Sequence, residues 1–238
     1  MKSRMLVFII VLFLLIDLAY FYPKLTGKAT YERIMINVTR AIDGDTLETN
    51  DFKVRLLGIN TPEKSQRYYE EAKNYLKELE GKEVELEKHG EDKYGRELGY
   101  ILSDKILINK KILEKGLGSL YYYEKDAYFS DMKKAEESAR KKEKGIWKKS
   151  TNYGCVELVD LKYFDEEGAK NQEQIILKNN CQKIRAVLKD DATHIYNIDL
   201  EKGLFVKNFT KIWNDNGDSI YLSDENGLLL FYRYGQDF

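Results

Sequence analysis

A change of hydrophobic period between Tyr31 and Gly81 most restricts the folds open to this chain. Residues 31–59 alternate apolar and polar side chains in short runs, broken at the turn-forming stretches "DGD" and "TND". This alternation predicts strands joined in hairpins. The period then becomes helical over "SQRYYEEAKNYLKELEG", where one face carries the four side chains Tyr69, Ala72, Leu76 and Leu79. The segment therefore predicts three strands and then a helix that ends near Gly81.

The pattern after Gly81 completes this first region. Strand alternation returns in "KEVELEKHG" and "ELGYIL", on either side of the glycine-bearing turn "DKYGR". Two amphipathic helices are predicted next, in "INKKILEKG" and "SDMKKAEESARKKEKG". The order of three strands, helix, two strands and two helices matches the five-stranded β-barrel of an oligonucleotide-binding fold, here with three helices.

The residues beyond Ser150 show a second strand pattern without helical periodicity. The alternating runs are "CVELVDLKYF", "EQIILKNNC", "KIRAVLKDD", "HIYNIDL" and "DSIYLSDENGLLLFYRY". Short strands separated by turn formers favour an all-β sandwich. A chain of 238 residues is long enough for two such cores. We therefore predict an α+β protein with three segments, 1–28, 29–150 and 151–238.

The first segment predicts an N-terminal membrane helix or a signal segment. The basic residues Lys2 and Arg4 precede the largely apolar run Met5–Tyr22, which as a helix would extend roughly 27 Å, close to the hydrocarbon thickness of a bilayer. Its unbroken part, Met5–Ile16, would also suit a signal peptide, although no A-x-A-like cleavage site follows it. The basic flank predicts a cytoplasmic N-terminus. We expect a single-pass cell-membrane protein with an extracellular body, or a secreted protein if this segment is cleaved.

Charge and composition exclude several classes of function. The formal net charge is −1, and residues 151–238 contain 10 basic and 15 acidic residues. Nucleic-acid binding must therefore come from local clusters of Lys and Arg, and the C-terminal segment is a poor candidate for it. The only histidines are His89 and His194, and the chain has neither a G-x-S-x-G motif nor a C-x-x-C pair. A serine hydrolase or a structural zinc site has little to build with.

Four motifs in the second segment carry a family resemblance. In order along the chain they are "AIDGDT", "RLLGINTPE", "DKYGR" and "KKEKGIW". Together they resemble the staphylococcal (micrococcal) nuclease family from about Ala29 to Lys149. The resemblance implies a Ca²⁺-dependent enzyme that hydrolyses phosphodiester bonds of DNA and RNA with little sequence preference.

The resemblance implies a Ca²⁺ site at Asp45 and the backbone carbonyl of Thr61, with Asp43 nearby. Carboxylate and carbonyl oxygens are the ligands that Ca²⁺ prefers. Position 60 departs from the family, where aspartate is commoner, since Asn60 keeps an oxygen ligand but removes one negative charge. Because ligand charge governs Ca²⁺ affinity, we expect a raised Ca²⁺ requirement. On this basis Asn60→Asp should lower the Ca²⁺ concentration needed for half-maximal activity.

The same resemblance assigns catalytic roles to Arg55, Arg96 and Glu63. The two planar guanidinium groups would hold the scissile phosphate, a task that suits arginine better than lysine. Glu63 would orient or deprotonate the attacking water. The alternative for Glu63 is a helix N-terminal charge that merely complements the helix dipole.

Substrate contacts outside the scissile phosphate are implied for Lys93, Tyr94 and Tyr122. In the family these positions grip a terminal phosphate and stack a base, and stacking contributes about 1 to 3 kcal/mol per base. One family tyrosine is replaced here by Glu124. The alternative is that residues 121–123 form a half-buried strand.

The C-terminal segment resembles the lamin-tail domain, an immunoglobulin-like sandwich, over about residues 152–238. The resemblance rests on "LKNNC", "LKDDATHIYNI" and above all "NDNGDSIYLSDENG", whereas Ala186 and Val187 replace the usual Gly-Trp. It implies interaction with a partner that the sequence does not identify. Cys155 and Cys181 bracket the first two strands of this domain. In an exported protein we expect them to form a disulfide, contributing about 3 kcal/mol.

Two functions from different classes follow from these motifs. One is a membrane-anchored or secreted Ca²⁺-dependent nuclease, and the other is a catalytically inactive, envelope-tethered nucleic-acid-binding module with the same fold. Inactive relatives tend to lose several residues of the implied site. This chain keeps the four that discriminate the two functions, Asp45, Arg55, Glu63 and Arg96. The sequence therefore favours the enzyme.

Overall fold

The computed structural model describes residues 31–122, 125–163, 173–192, 194–210 and 212–235. The chain divides into two compact units at the boundary between Glu32 and Arg33, and the following account concerns the second. The predicted membrane segment, residues 1–28, lies outside the described residues. Within the described ranges, no helix is both long and apolar enough to cross a bilayer.

The described part of residues 33–150, here called the N-terminal half, contains nine short strands, three α-helices and a 3₁₀-helix at Gly145–Trp147. The strands are β1 (Arg33–Asn37), β2 (Arg40–Ala41), β3 (Thr46–Glu48), β4 (Lys53–Leu56), β5 (Ile59–Asn60), β6 (Glu83–Glu91), β7 (Glu97–Ser103), β8 (Ile106–Leu107) and β9 (Ser119–Leu120). The helices are α1 (Tyr69–Lys77), α2 (Ile108–Lys115) and α3 (Phe129–Lys141). The three predicted helices are thus confirmed, and the region is α+β.

The main sheet has the order β1-β6-β7-β4-β3-β2, with β8 added beside β7. Its pairs are antiparallel except for β4 and β7, which run parallel. The two ends of this path, β1 and β2, are consecutive in the chain. Between them Val38 donates its backbone N–H to Lys82, and Thr39 donates to Glu48. Val38 and Thr39 are adjacent in the chain but bond to opposite ends of the sheet. The predicted five-stranded barrel is therefore not closed by one continuous ladder of hydrogen bonds.

The first helix is positioned by the face that its sequence predicts. Ala72 and Leu76 are completely buried, and Leu79, just beyond the end of the helix, is 5% exposed. Gly81 follows with a φ of 75°, a left-handed conformation that glycine adopts without strain. The helix therefore packs on the sheet and ends close to the predicted residue.

Residues 151–235, here called the C-terminal half, form two sheets. The strands are β10 (Val156–Lys162), β11 (Glu173–Asn179), β12 (Ile184–Lys189), β13 (Ile195–Leu200), β14 (Gly203–Phe209), β15 (Gly217–Ser223) and β16 (Leu228–Gly235). Their orders are β10-β11-β14 and β13-β12-β15-β16, consistent with the predicted sandwich. Strand β14 was not predicted from the sequence. The apolar residues at its start do not alternate with polar ones, and Leu204 and Val206 are exposed. Cys155 and Cys181 form a disulfide that joins the start of β10 to the end of β11.

The two halves share a small aromatic and apolar cluster. Trp147 is 1% exposed and lies 5.0 Å from the ring of Phe231 and 5.9 Å from that of Tyr221, both in the C-terminal half. Arg233 of β16 forms a buried ion pair with Glu136 of α3 at 2.7 Å. These contacts hold the sandwich against α3.

Candidate active site

The turn formed by Asp43, Gly44 and Asp45 brings two carboxylates to the start of β3. The backbone N–H of Asp45 donates to Oδ1 of Asp43 at 3.0 Å, so the first carboxylate helps to shape the turn. A Cβ atom added at Gly44 would lie 2.6 Å from Cβ of Ala72 and 2.7 Å from Oγ1 of Thr61. The absence of a side chain at Gly44 is what allows this close approach.

Asp45 is the centre of a buried network of polar contacts. Its Oδ2 accepts hydrogen bonds from the backbone N–H and the hydroxyl of Thr61, both at 2.9 Å. Its Oδ1 lies 3.2 Å from Nε of Arg55, and the exposed side-chain fractions of the pair are 14% for Arg55 and 9% for Asp45. The β3–β4 register opposes Thr46 to Arg55, which brings the arginine alongside the turn. Shelter from water strengthens this ion pair relative to a surface one.

The guanidinium group of Arg55 extends from Asp45 towards Asn60. Its Nη1 donates to the backbone carbonyl of Leu56, and its Nη2 donates to Oδ1 of Asn60 at 3.4 Å. The chain reverses at Gly58, which has a φ of 73°, and so returns Asn60 to the arginine. The structure therefore places Asp45, Arg55, Asn60 and Thr61 in one connected set.

Glu63 follows this set on an exposed segment. Its backbone N–H donates to Oε1 of Gln66 at 2.6 Å. Helix α1 begins only at Tyr69, and the acidic residues of its first turn are Glu70 and Glu71. Glu63 thus precedes the helix by six positions, which argues against a role as a helix N-terminal charge, since that effect falls off within the first turn.

The two carboxylates of the Asp43 turn repel one another. Burial, and after it the negative charge of Asp45, raises the pKa of Asp43 to about 6. A hard cation would relieve this repulsion, and the backbone carbonyl of Thr61 is a third oxygen of the kind that Ca²⁺ takes. No group of three or more His, Cys, Asp or Glu side chains suited to a metal occurs in the described ranges. The turn therefore offers a cation two carboxylates, which is a low ligand charge for Ca²⁺.

The β6–β7 turn carries Lys93, Tyr94 and Arg96. Asp92 fixes this turn, because its Oδ1 accepts the backbone N–H groups of Tyr94 and Arg96, and its Oδ2 accepts Nε of Arg96 at 2.8 Å. Tyr94 is 72% exposed, and the cationic groups of Lys93 and Arg96 lie 5.0 and 5.5 Å from its ring centre. In the described structure the polar contacts of Arg96 stay within this turn, so they do not join it to the Asp45 set.

Tyr122 lies in a tyrosine cluster within the N-terminal half. Its hydroxyl is 2.8 Å from that of Tyr100 and donates to Oδ1 of Asp126 at 3.3 Å. A Cβ at Gly58 would come within 2.6 Å of the Tyr122 ring. Tyr122 is half-buried, as in the alternative reading, but it is not part of a strand, because β9 ends at Leu120. Residues 123 and 124, which include the Glu124 replacement, lie outside the described residues.

The C-terminal half contributes a second set of neighbours to Asn60, which the sequence did not predict. The side-chain Nδ2 of Asn60 donates to the backbone carbonyls of Asp191 at 2.7 Å and Ala192 at 3.2 Å. These residues belong to the connection between β12 and β13, here called the 189–192 turn. Both acceptors are backbone carbonyl oxygens. Because every residue type has one, the sequence cannot indicate this contact. The only signal was the presence of an amide at position 60.

Comparisons with known proteins match about half of the chain. A family model described as "Staphylococcal nuclease homologue" covers residues 53–149. The thermonuclease of Staphylococcus intermedius is 35% identical in an alignment of 126 residues that covers 47% of this chain and 75% of that protein. The thermonuclease of Staphylococcus hyicus is 30% identical in an alignment of 138 residues that covers 52% of this chain and 82% of that protein. Endonuclease YncB of Bacillus subtilis is 38% identical in an alignment of 155 residues that covers 55% of this chain and 74% of that protein.

Proposed function

Because the chain belongs to the staphylococcal nuclease family, we propose that it is a Ca²⁺-dependent nuclease that cleaves DNA and RNA with little sequence preference. The chain is a hydrolase of the nuclease class. The observation that carries the finer proposal is the buried set in which Asp45 binds both Arg55 and Thr61 beside Asp43. That set combines oxygen donors for a cation with a guanidinium group for a phosphate.

Asp43, Asp45 and the backbone carbonyl of Thr61 would hold the Ca²⁺ ion. When bound, the ion would polarise the phosphoryl group and bind the attacking water. Two carboxylates make a weak site, for which dissociation constants of roughly 10⁻⁴ to 10⁻³ M are usual in extracellular proteins. Such a site would be suited to an environment rich in Ca²⁺.

Arg55 and Arg96 would bind the scissile phosphate from strand β4 and from the β6–β7 turn, respectively. Each guanidinium group is oriented by an aspartate, Asp45 for the first and Asp92 for the second. Oriented guanidinium groups can form bidentate hydrogen bonds to a phosphate. They would also offset the negative charge that develops on the non-bridging oxygens of the phosphate. Because the guanidinium groups are already oriented, they need not reorganise during the reaction.

Glu63 would act on the attacking water. Its carboxylate belongs to an exposed residue, which leaves it accessible to solvent and substrate, and it follows Thr61 by only two positions. A carboxylate there can orient the water or accept its proton. The exposed side chains of Lys93 and Tyr94 would contact the substrate beyond the scissile phosphate, through charge and stacking.

The cellular location proposed for the enzyme follows from the N-terminal segment of its sequence. The apolar run Met5–Tyr22 would anchor the body at the outer face of the cell membrane, or direct its secretion if cleaved. We propose that the C-terminal sandwich is of the lamin-tail type and that it also meets a partner, which is not yet identified.

Hydrolysis of a fluorescent single-stranded DNA and a matching RNA tests the proposal. The full chain, Glu63→Gln and Arg55→Gln are compared with and without 10 mM Ca²⁺, about ten times a weak-site dissociation constant. Glu70→Gln and Arg40→Gln, at exposed positions, serve as matched controls. We expect Ca²⁺-dependent cleavage that both site variants lose and both controls keep. Binding without cleavage at every Ca²⁺ concentration would instead identify a catalytically inactive nucleic-acid-binding module.

A further inference from the structure

The C-terminal half reaches the proposed active site through Asn60. This side chain is 9% exposed, and its two ends face different partners. Oδ1 accepts from Nη2 of Arg55, whereas Nδ2 donates to the carbonyls of Asp191 and Ala192. An aspartate at position 60 has no N–H to donate and would oppose a negative charge to two carbonyl oxygens. The contacts therefore account for the amide.

Further hydrogen bonds hold the 189–192 turn in place, and one of them reaches the Ala192 carbonyl that Asn60 contacts. Nζ of Lys189 donates to the carbonyls of Asp190 at 3.0 Å and Ala192 at 2.9 Å. The backbone N–H of Asp191 donates to Oδ1 of Asp218 at 3.0 Å, and Oδ1 of Asp191 accepts the hydroxyl of Tyr221 at 2.7 Å. A turn held from several directions is a rigid support for Asn60.

The opposite edge of β5 is also held by the C-terminal half. Strand β5 pairs with β9, so that Ile59 opposes Leu120. Glu136 accepts the backbone N–H of Leu120 at 2.7 Å, and Nη2 of Arg233 donates to the carbonyl of Leu120 at 3.4 Å. The Arg233–Glu136 ion pair thus supports β9, while the 189–192 turn supports Asn60 directly. Strand β5 lies between these two attachments.

We propose that the 189–192 turn is a positioning element of the active site, which orients Arg55 by holding Asn60. The sandwich would then be part of the catalytic unit as well as a domain that meets a partner. This inference rests on the proposed nuclease function, because its importance lies in the phosphate-binding role of Arg55. Misplacing a catalytic group by about 1 Å can reduce the rate about 10²-fold, so loss of the support should lower kcat.

This inference changes the expected effect of Asn60→Asp. If position 60 acted only as a metal ligand, the added charge would lower the Ca²⁺ requirement, as the sequence alone predicts. If the amide joins Arg55 to the 189–192 turn, the substitution removes both donor contacts. We then expect kcat to fall about tenfold or more at saturating Ca²⁺, with no decrease in the Ca²⁺ concentration needed for half-maximal activity.

A second pair of variants alters the turn without changing Asn60. Lys189→Met removes the ammonium group that binds the carbonyls of Asp190 and Ala192, the second of which also accepts from Asn60, and Lys189→Arg keeps a cationic donor. We expect Lys189→Met to lower kcat about three- to tenfold with KM nearly unchanged, and Lys189→Arg to restore most of the rate. Thermal unfolding of each variant verifies that the fold is intact, and Asn60→Asp need not be stable for this pair to be informative.

The Nε–H signal of Arg55 in a ¹⁵N NMR spectrum of the full chain provides a readout that does not need hydrolysis. The signal is assigned by its loss in Arg55→Lys. We expect Lys189→Met to shift it, while the corresponding signal of the distant Arg40 stays in place. An unshifted Arg55 signal, or a lower Ca²⁺ requirement in Asn60→Asp with kcat unchanged, would overturn the inference. An inactive wild-type chain would instead overturn the proposed nuclease function, and the NMR signal would still decide the inference.

Discussion

Two pairs of aspartates lie close to Asn60 and differ in what surrounds them. The N-terminal half contributes Asp43 and Asp45, and the C-terminal half contributes Asp190 and Asp191. In each pair one member, Asp43 or Asp191, has its pKa raised to about 6, and burial is the largest cause in both cases. The similarity ends there, because the second cause has opposite sign in the two pairs.

The neighbouring charge explains the difference. The negative charge of Asp45 raises the pKa of Asp43 further, whereas the positive charge of Arg233 lowers that of Asp191. Asp190 in turn binds His194, with Nδ1 of the imidazole 2.6 Å from its Oδ2. The C-terminal pair thus receives its counter-charge and donors from the protein. In the N-terminal pair Asp45 is paired with Arg55, whereas the charge of Asp43 would be balanced by a cation from solution, so a raised pKa alone does not identify a metal site.

The largest effect is expected when the C-terminal pair loses its counter-charge. Arg233→Met leaves Glu136, whose side chain is 1% exposed, as an unpaired buried carboxylate beside Asp191. Removing one partner of a buried pair usually lowers the free energy of unfolding by about 3 to 5 kcal/mol. Guanidinium chloride unfolding measures this change.

Arg185→Met is the matched control for this experiment. The side chain of Arg185 is 89% exposed, and we expect its loss to change the free energy of unfolding by less than about 0.5 kcal/mol. Equal effects of the two substitutions would show that the sandwich does not supply a buried counter-charge to its aspartates.

The hydrolysis rate should distinguish the two aspartate pairs, with a smaller but more specific effect. Asp45→Asn weakens the contact with Arg55 and would also weaken the proposed cation site, and we expect the hydrolysis rate to fall by about 10²-fold, equivalent to about 3 kcal/mol of transition-state stabilisation. Asp191→Asn keeps the backbone carbonyl that faces Asn60 and should retain most of the rate. Comparable losses in both variants would remove the distinction between a catalytic and a structural pair.

The smallest expected effect is on the pH dependence of stability. Because the folded state binds a proton to Asp43 and Asp191 more tightly than the unfolded chain does, both should lower stability as pH rises from about 4 to about 6. Asp191→Asn should remove about 1 to 2 kcal/mol of this fall.

Ca²⁺ should distinguish the two contributions to this pH dependence. At 10 mM, roughly ten times a weak-site dissociation constant, it should cancel the part that Asp43→Asn removes, since the ion compensates that charge. It should leave the Asp191 part unchanged. Unfolding curves at pH 4, 5, 6 and 7 check this, and a Ca²⁺-sensitive Asp191 contribution would contradict it.

The local features of the N-terminal half could be predicted from the sequence because they depend on short-range patterns. Helical spacing predicts the burial of Ala72 and Leu76, and the glycine between two aspartates predicts a tight turn. Closure of the barrel was harder to predict, because it depends on how Val38 and Thr39 direct their backbone hydrogen bonds. Alternation of side chains does not contain that information.

The link between the halves could not be predicted in this way. Asn60 and Asp191 are 131 positions apart, and the contact uses a backbone carbonyl that every residue type possesses. The sequence did show an amide where the family usually has a carboxylate. Its physical meaning became visible only when the 189–192 turn was seen to lie against it.

Calorimetric titration with Ca²⁺ decides whether the Asp43 and Asp45 pair is the cation site and the Asp190 and Asp191 pair is structural. We expect one bound ion for the full chain, no detectable binding for Asp45→Asn, and unchanged binding for Asp191→Asn. Loss of binding in Asp191→Asn with retention in Asp45→Asn, or no binding to the full chain, would contradict it.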